Sequence, residues 1–227
     1  MEKVKTTRFD GVIIDTPPLP VGEYRVIYAD SPWDFRTYSK KNQTRAAENH
    51  YPIMTLEDIK ALPVSEVAHP EGSALFLWVT DPMLRQGLEV MEAWGYEYRT
   101  VAFTWVKTNR LPKRKKNLTG RFLMFWDDIL YDAKTFFMGM GYWTRGNPEM
   151  CLLGVRGKSP KRKNKNVRQL VVAPRREHSR KPDEVYDRIE SLLDGPYLEM
   201  FARTRRNDGW TVWGAEIGKF EAIGCEA

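Results

Sequence analysis

The sequence predicts a three-layer α/β fold, and three observations carry that prediction. Short apolar runs alternate with amphipathic segments of helical period. A chain of 227 residues can bury one sizeable core, and 42% of it is hydrophobic, with 8 Trp, 10 Tyr and 10 Phe. The expected organisation is a single domain over 1–227 with an aromatic-rich core and an N-terminal extension at 1–20.

Taken in order, residues 10–20 (DGVIIDTPPLP) are Pro-rich and lead into YRVIYAD, an apolar run that stops at the turn signal Ser31-Pro32. This is a strand over about 24–29, with Asp30 at its carboxyl end. Thr55 with Asp58 forms a capping-box pattern that opens the helix TLEDIKAL, which Pro63 ends. SALFLWV (73–79) reads as a continuous buried strand. Asp81 as N-cap, Pro82 at the first helical position, Leu84, Leu88 and Met91 on one face and a closing Gly95 define a helix over about 82–94. YRTVAFTWVK is the next strand.

Between 108 and 141 no period emerges. A basic patch (Lys113 to Lys116) gives way to aromatic, Gly- and Met-containing sequence, expected to be a mobile insertion. MCLLGVR (150–156) and RQLVVA (168–173) are strands on either side of a Lys-rich loop. Pro182 opens a helix to about 193 with Val185, Ile189 and Leu192 on one face, and the strands YLEMFA and WTVWG complete the fold.

In such sheets ligands bind at the carboxyl ends of strands, where the strand order reverses, and Asp30 sits at one of these ends. The glycine fingerprint GxGxxG is absent, which argues against an ordinary dinucleotide-binding domain.

Cys151 and Cys225 have no metal-ligand spacing, and the start MEKVKTTRFD lacks the apolar core of a secretory signal, so a reducing, cytoplasmic setting is expected. No apolar run approaches the ~20 residues that span a bilayer. Charge is uneven. Residues 1–100 carry 11 basic and 15 acidic side chains (net −4), and residues 101–227 carry 25 and 15 (net +10). Between Arg156 and Lys181 there are 11 Lys or Arg against one Glu. Lys161, Arg162, Lys163 and Lys165, in the midst of this run, are candidate phosphate contacts for a nucleic acid, the alternative being a solvated loop.

The segment Asp30-Ser31-Pro32-Trp33 carries a specific chemistry. The amino nitrogen of adenine is a weak nucleophile because its lone pair is delocalised into the ring. A carboxylate and a backbone carbonyl fixed side by side can accept its two N–H bonds and turn the lone pair toward a methyl donor, and a proline-stiffened turn supplies the rigidity. Asp30 and the Ser31 carbonyl are the candidate acceptors, with Pro32 stiffening the turn. Trp33 is a candidate stacking platform for an unstacked base. Alone, Asp-Ser-Pro after a strand also reads as an ordinary turn.

The segments YADSPWDF, HYPIMTLEDIKALP, LFLWVTDP, WVKTNR, GYWTRGNPEMCLLGVRGK, RQLVVAPRREHSRKPDEVYDRIE and LEMFARTRRNDGWTVWG follow one another from about Tyr24 to Glu216. In that order they resemble the MT-A family of adenine-N6 methyltransferases, which includes the catalytic subunit of the messenger-RNA N6-methyladenosine enzyme and compact prokaryotic and phage members. The resemblance implies a Rossmann-like methyltransferase fold with permuted motif order and S-adenosylmethionine as methyl donor. It implies donor contacts from Asp30, Lys181 (near the carboxylate), Glu199, Phe201 and Arg203 (around ribose and adenine), and from Arg205 and Glu216. It places Tyr51 and Glu149, with Ser179 nearby, at the target base. Two positions depart from the family pattern: Ser31 replaces the first Pro of Asp-Pro-Pro-Trp, and Ala215 replaces the Asn before Glu216. His50, His69 and His178 fit no ligand spacing, and no metal is assigned.

The compact form, without zinc-finger cysteines or a separate RNA-binding module, implies DNA as substrate rather than RNA. A non-catalytic nucleic-acid-binding subunit is the rival reading, disfavoured because Asp30, Pro32 and Trp33 are retained. Methylation of the cytosine amine uses similar chemistry and is set aside on the resemblance alone. The sequence leaves open a homodimer or a heterodimer with a related subunit.

Overall fold

In a computed structural model, residues 4–7, 13–33, 53–109, 135–141, 143–177, 179–206 and 209–220 are described. The strands β1 (Val4–Thr7) and β2 (Ile13–Thr16) form a small antiparallel ladder at the start of the chain. The run YRVIYAD then delivers β3 (Val26–Ala29), every residue of which is buried. Next come two short helices, α1 (Leu56–Lys60) and α2 (Val64–Val67). The Thr55 hydroxyl oxygen accepts the Asp58 N–H at 3.2 Å, the capping contact that the sequence pattern predicts. β4 (Gly72–Val79) follows, buried throughout. A 3-10 turn (Asp81–Met83) leads into α3 (Leu84–Ala93), and β5 (Glu97–Thr108) runs out from it. β6 (Glu149–Gly157), β7 (Leu170–Pro174), α4 (Glu184–Leu192), β8 (Tyr197–Met200) and β9 (Trp210–Trp213) complete the chain.

Among the described residues, seven strands form one sheet in the order β7-β5-β6-β4-β3-β8-β9. All neighbours are parallel except those of β6, which runs against both β4 and β5. The other six strands therefore end at one edge, and β6 alone begins there. Its first residue, Glu149, pairs with Trp105 near the end of β5, and Met150 pairs with Val79 at the end of β4. From β3 the chain fills the β4 side of the sheet, then returns to β3's other side for β8 and β9. The order reverses at β3, so Asp30 stands at the switch point where α/β sheets bind ligands.

Strand alternation separates two cores. Ile27, Leu75, Leu77, Leu152 and Leu198 pack with Ile59, Val64, Val90, Met91 and Trp94 of the α1–α3 region. Val26, Tyr28, Phe76, Trp78, Phe103 and Cys151 pack with Val185, Tyr186 and Ile189 of α4. Each such fully buried large side chain contributes about 1.5–3 kcal/mol, and the polar tips are partnered. The Trp78 indole N–H donates to the Tyr28 hydroxyl at 2.7 Å and that of Trp94 to the Ile59 carbonyl at 2.8 Å. With helices on both faces of the sheet, the architecture is the α/β/α sandwich that the sequence predicts.

Three local expectations are corrected. Thr80, not Asp81, occupies the N-cap before the 3-10 turn. Met91 of α3 faces inward as expected, but Leu84 and Leu88 are each 37% exposed, and Gly87 and Val90 take their place on the buried face. A Cβ on Gly87 would lie 2.3 Å from Val79 Cγ1, so the helix seats on β4 through its glycine. The segment 17–20 is not an appendage: Leu19 is 4% exposed in the core, and the Trp213 indole N–H donates to the Pro17 carbonyl at 2.8 Å. Of the span 108–141, Thr108 closes β5, Asn109 and 135–141 are bonded to its end, and 110–134 lie outside the described residues. No helix among the described residues is long and apolar enough to cross a membrane.

Candidate active site

Asp30 leaves β3 at the carboxyl edge, and the β7–α4 connection meets it there. Lys181 Nζ donates to Asp30 Oδ2 at 2.8 Å, and the Ser179 hydroxyl donates to the same oxygen at 3.2 Å. Neither contact uses Oδ1. Ser179 is held at φ 64°, a left-handed conformation that costs a non-glycine residue of order 1–3 kcal/mol.

A second carboxylate completes a chain of alternating charge. Glu149 Oε2 lies 3.2 Å from Lys181 Nζ, and its Oε1 accepts from Lys107 Nζ at 2.6 Å. Burial by itself would push the Glu149 carboxyl up, but Lys181 and Lys107 outweigh it and hold the group at about 2. Burial likewise opposes the charge on Lys181, and Asp30 and Glu149 overcome it, raising the ammonium above its ordinary value. Lys181 has only 8% of its side chain exposed, so its ammonium is held by the two carboxylates rather than by solvent.

Beside this chain opens a crevice lined by Asp30, Ser179, Lys181, Glu199, Phe201 and Arg203. Glu199 projects from β8, and the Tyr186 hydroxyl of α4 donates to its Oε1 at 2.8 Å. Its Oε2 is buried with no partner among the described residues. Burial raises this carboxyl to about 7, against the pull of the Tyr186 hydrogen bond and of Arg206 and Arg203. Phe201, next after β8, is likewise left-handed, at φ 62°, and its ring meets Trp213 edge-on at 5.3 Å. Arg203 Nε lies 3.7 Å from Glu216 Oε2, and Lys219 pairs with Glu216 at 2.8 Å. The crevice thus offers an orphaned acceptor and charged groups of both signs at a strand-switch point. That donor set fits a ligand with hydroxyl groups, a carboxylate and an ammonium, as S-adenosylmethionine has.

Several expected residues are placed differently. Trp33 is 6% exposed and belongs to the core on the α1–α3 side, its indole N–H donating to the Trp78 carbonyl at 3.3 Å. The Pro32 carbonyl accepts the Met54 N–H at 3.0 Å, which ties the motif to that layer and turns the ring inward rather than toward a base. The Ser31 carbonyl accepts the Trp33 N–H at 2.9 Å, so only its second lone pair is left for a substrate, and the Ser31 hydroxyl is buried without a partner among the described residues. Arg205 is exposed and does not line the crevice. Tyr51, with His50 and His178, lies outside the described residues. His69 Nδ1 accepts the Glu71 N–H, a turn contact.

The four candidate phosphate contacts in the middle of the basic run do not adjoin this site, although the run's last residue, Lys181, is at its centre. Lys161, Arg162, Lys163 and Lys165 are exposed in the β6–β7 connection, and β6, being antiparallel, carries the chain away from the catalytic edge. Nine residues of strand, roughly 26 Å at ~3.3 Å per step, separate this loop from Glu149. Lys163 pairs there with Asp194, beyond the far end of α4, at 3.0 Å.

The sequence reading also missed residues. Lys107, Asn147 and Tyr186 hold the site yet were assigned no role. Their only signal is position: Lys107 stands next to last in a strand otherwise rich in aromatic and β-branched residues, and Tyr186 follows Val185 on the inward face of α4.

An open α/β sheet with an Asp-Ser-Pro turn at its switch point and a charged crevice across its carboxyl edge defines a Rossmann-like ligand-binding class. Comparison with known proteins makes this specific. The MT-A70 family model matches residues 24–124 and 123–216, and the chain belongs to this family of methyltransferases. It is 31% identical over 218 residues to the Type II methyltransferase M.MunI of a Mycoplasma species, covering 88% of this chain and 81% of that protein. It is 32% identical over 200 residues to the human N(6)-adenosine-methyltransferase catalytic subunit METTL3, and 31% over 205 residues to an MT-A70-like N(6)-adenosine-methyltransferase of Arabidopsis thaliana. These matches cover 87% and 89% of this chain but only 29% and 25% of those longer relatives.

Proposed function

We propose that the protein transfers a methyl group from S-adenosylmethionine to the exocyclic N6 amine of adenine in DNA. The observation that carries this reading is the position of Asp30 at the switch point, with Oδ2 held by Lys181 and Ser179 and Oδ1 uncommitted to either. When bound, S-adenosylmethionine supplies an activated methyl group on a sulfonium sulfur.

Asp30 Oδ1 and the second lone pair of the Ser31 carbonyl accept the two N–H bonds of the amine. The nitrogen lone pair is thereby localised and aimed, and Pro32 keeps the two acceptors in register. Lys181, 2.8 Å from Oδ2, fixes the orientation of the Asp30 carboxylate so that Oδ1 faces the amine. Glu149, ionised and pinned by two lysines, contacts the edge of the base, with Ser179 on the far side of Lys181. Asp30 also meets the ammonium of the donor. Glu199 accepts from its ribose hydroxyls through the orphaned Oε2, and Phe201 and Arg203, the latter held by Glu216, complete the donor site, which the exposed Arg205 does not line.

The likeness to a Type II methyltransferase along 81% of that protein's length supports DNA as the substrate, and the N(6)-adenosine-methyltransferase relatives support the adenine amine as acceptor. The compartment implied is the cytoplasm, and a homodimer or a pairing with a related subunit is compatible with the family. The test is to incubate the protein with methyl-labelled donor and either DNA or RNA, digest to nucleosides and identify the labelled product by mass spectrometry. N6-methyldeoxyadenosine is expected. Label only in N4-methyldeoxycytidine, or only in RNA, would overturn the assignment.

A further inference from the structure

A substrate strand lying across the carboxyl edge needs support beyond the reacting base, and residues 135–147 build a structure suited to that task. The segment is fastened to the end of β5. The Phe137 N–H donates to the Lys107 carbonyl at 2.9 Å and the Asn109 N–H to the Thr135 carbonyl at 2.8 Å. The Asn147 side chain acts as a clamp: Nδ2 donates to the Lys107 carbonyl at 2.8 Å and to the Phe137 carbonyl at 2.5 Å, and Oδ1 accepts the Lys107 N–H at 2.9 Å. Above this foot the Gly139 N–H donates to the Gly146 carbonyl at 2.8 Å, closing a hairpin that returns past Gly141 and Thr144; Tyr142 lies outside the described residues. A Cβ on Gly141 would come within 1.9 Å of the Thr144 carbonyl oxygen, so the tip turns too tightly for any side chain there.

The surface of this hairpin is unusual. Trp143 is 100% exposed, Met138 71% and Met140 52%, whereas most other large apolar side chains of the fold are buried. Arg145 is exposed beside Trp143, and the Arg175 guanidinium lies 3.5 Å over the Phe137 ring at the hairpin's foot. No acidic residue occurs between 135 and 148. An exposed indole with flanking arginines and no carboxylate matches what single strands of nucleic acid require: a stacking platform and phosphate partners. The foot is joined to the reaction site, because Lys107, whose main chain Asn147 clamps, donates to Glu149 through its side chain. Four residues of chain, at most about 14 Å, separate Trp143 from Asn147.

We propose that the 135–147 hairpin is a nucleic-acid foothold. Trp143 stacks on a base a few nucleotides from the target, and Arg145 and Arg175 take the intervening phosphates. The proposal rests on the reading that the chain acts on nucleic acid, and it names the surface that holds the strand.

The test is binding rather than turnover. A fluorescent oligothymidine without any adenine is titrated with wild type, Trp143→Ala, Trp143→Phe and Arg145→Ala/Arg175→Ala, using anisotropy at several salt concentrations, with thermal melting to verify folding. Trp143→Ala should weaken binding at least about fivefold, and Trp143→Phe should restore most of it. The double arginine variant should lower the slope of log affinity against log salt by about 1.4, at about 0.7 for each lost phosphate contact. Wild-type binding with unchanged affinity and slope in every variant would overturn the foothold alone. So would a change in sedimentation from dimer to monomer on Trp143→Ala with oligonucleotide affinity intact, since the indole would then face another copy. Failure of the wild type to bind any oligonucleotide would overturn both the foothold and the nucleic-acid reading. Binding as expected with no N6-methyldeoxyadenosine formed would leave the foothold standing and sink the adenine assignment.

Discussion

Lys181 Nζ stands 2.8 Å from Asp30 Oδ2 and 3.2 Å from Glu149 Oε2, a single buried ammonium between carboxylates delivered by two different strands. Asp30 arrives at the end of β3 and Glu149 at the start of the antiparallel β6, so the lysine ties the motif that orients the amine to the group expected at the base. Buried charges are tolerable only when paired, and here each depends on its neighbour.

Removing that cation should therefore be costly. Lys181→Met leaves Glu149 with Lys107 and Asp30 with only the Ser179 hydroxyl. A loss of about 3–5 kcal/mol in stability at neutral pH is expected, together with loss of methyl transfer. The cost should shrink toward pH 5, because Glu149, deprived of one of the two lysines that hold its carboxyl low, takes up a proton more readily. Thermal melting of both proteins from pH 5 to 8 measures this. Coincident melting curves would contradict the pairing.

Acid stability follows from Glu149. Its carboxyl is lowered from an ordinary 4.5 to about 2 in the folded protein. A lowered folded-state value means stability that is fully present above about 4.5 and is lost as pH falls toward 2. Lys107→Met removes one of the two cations holding the group down, so the acid-unfolding midpoint should move to higher pH. Circular dichroism during acid titration reads it, and an unshifted midpoint would deny Lys107 its role.

Glu199 has the opposite sign. Its folded-state value is raised to about 7, so the group stabilises the fold least above pH 7, where it must ionise while buried. If its orphaned oxygen accepts ribose hydroxyls, the ionised form is the better acceptor. Affinity for S-adenosylhomocysteine should then rise severalfold between pH 6 and 8, and Glu199→Gln should flatten the profile and weaken binding at pH 8. Calorimetry at both pH values checks this, and equal pH dependence in the two proteins would count against it.

The basic run leads to an expectation contrary to its charge. Because Lys161, Arg162, Lys163 and Lys165 sit at the edge of the sheet remote from Asp30, replacing all four by Ala should leave the apparent KM for a short oligonucleotide within about twofold and its salt slope unchanged. A KM that rises tenfold would show that the substrate reaches the far edge.

These outcomes trace how far the sequence could be read. The strand before Asp30 was legible because an unbroken apolar run ends at Ser-Pro, and both outer layers were legible from helical periodicity. The side of the sheet on which a loop falls was not. Nothing in MCLLGVR marks it as the strand that runs against its neighbours in the seven-stranded sheet, yet that direction brings Glu149 to the site and takes Lys161, Lys163 and Lys165 away. Trp33 shows a second limit, since an indole after a strand reads equally as stacking platform or core, and only the contact of Pro32 with Met54 decides it. On α3, Leu84 and Leu88 matched the helical period, but the close seat of Gly87 against Val79 rotated the buried face away from them. Lys107 and Glu149 meet across 42 residues of sequence, a separation at which no local pattern carries information.

The central claim is that Asp30 accepts the substrate amine, and Asp30→Asn tests it most directly. The amide is isosteric but carries no charge and points a donor where an acceptor is needed. Single-turnover methyl transfer to adenine-containing DNA should fall by at least about 10²–10³-fold, the scale expected when one oriented polar partner of a reacting group is lost, while the melting temperature shows the fold retained. Single-turnover rates within a few-fold of wild type in a folded Asp30→Asn protein would contradict the account.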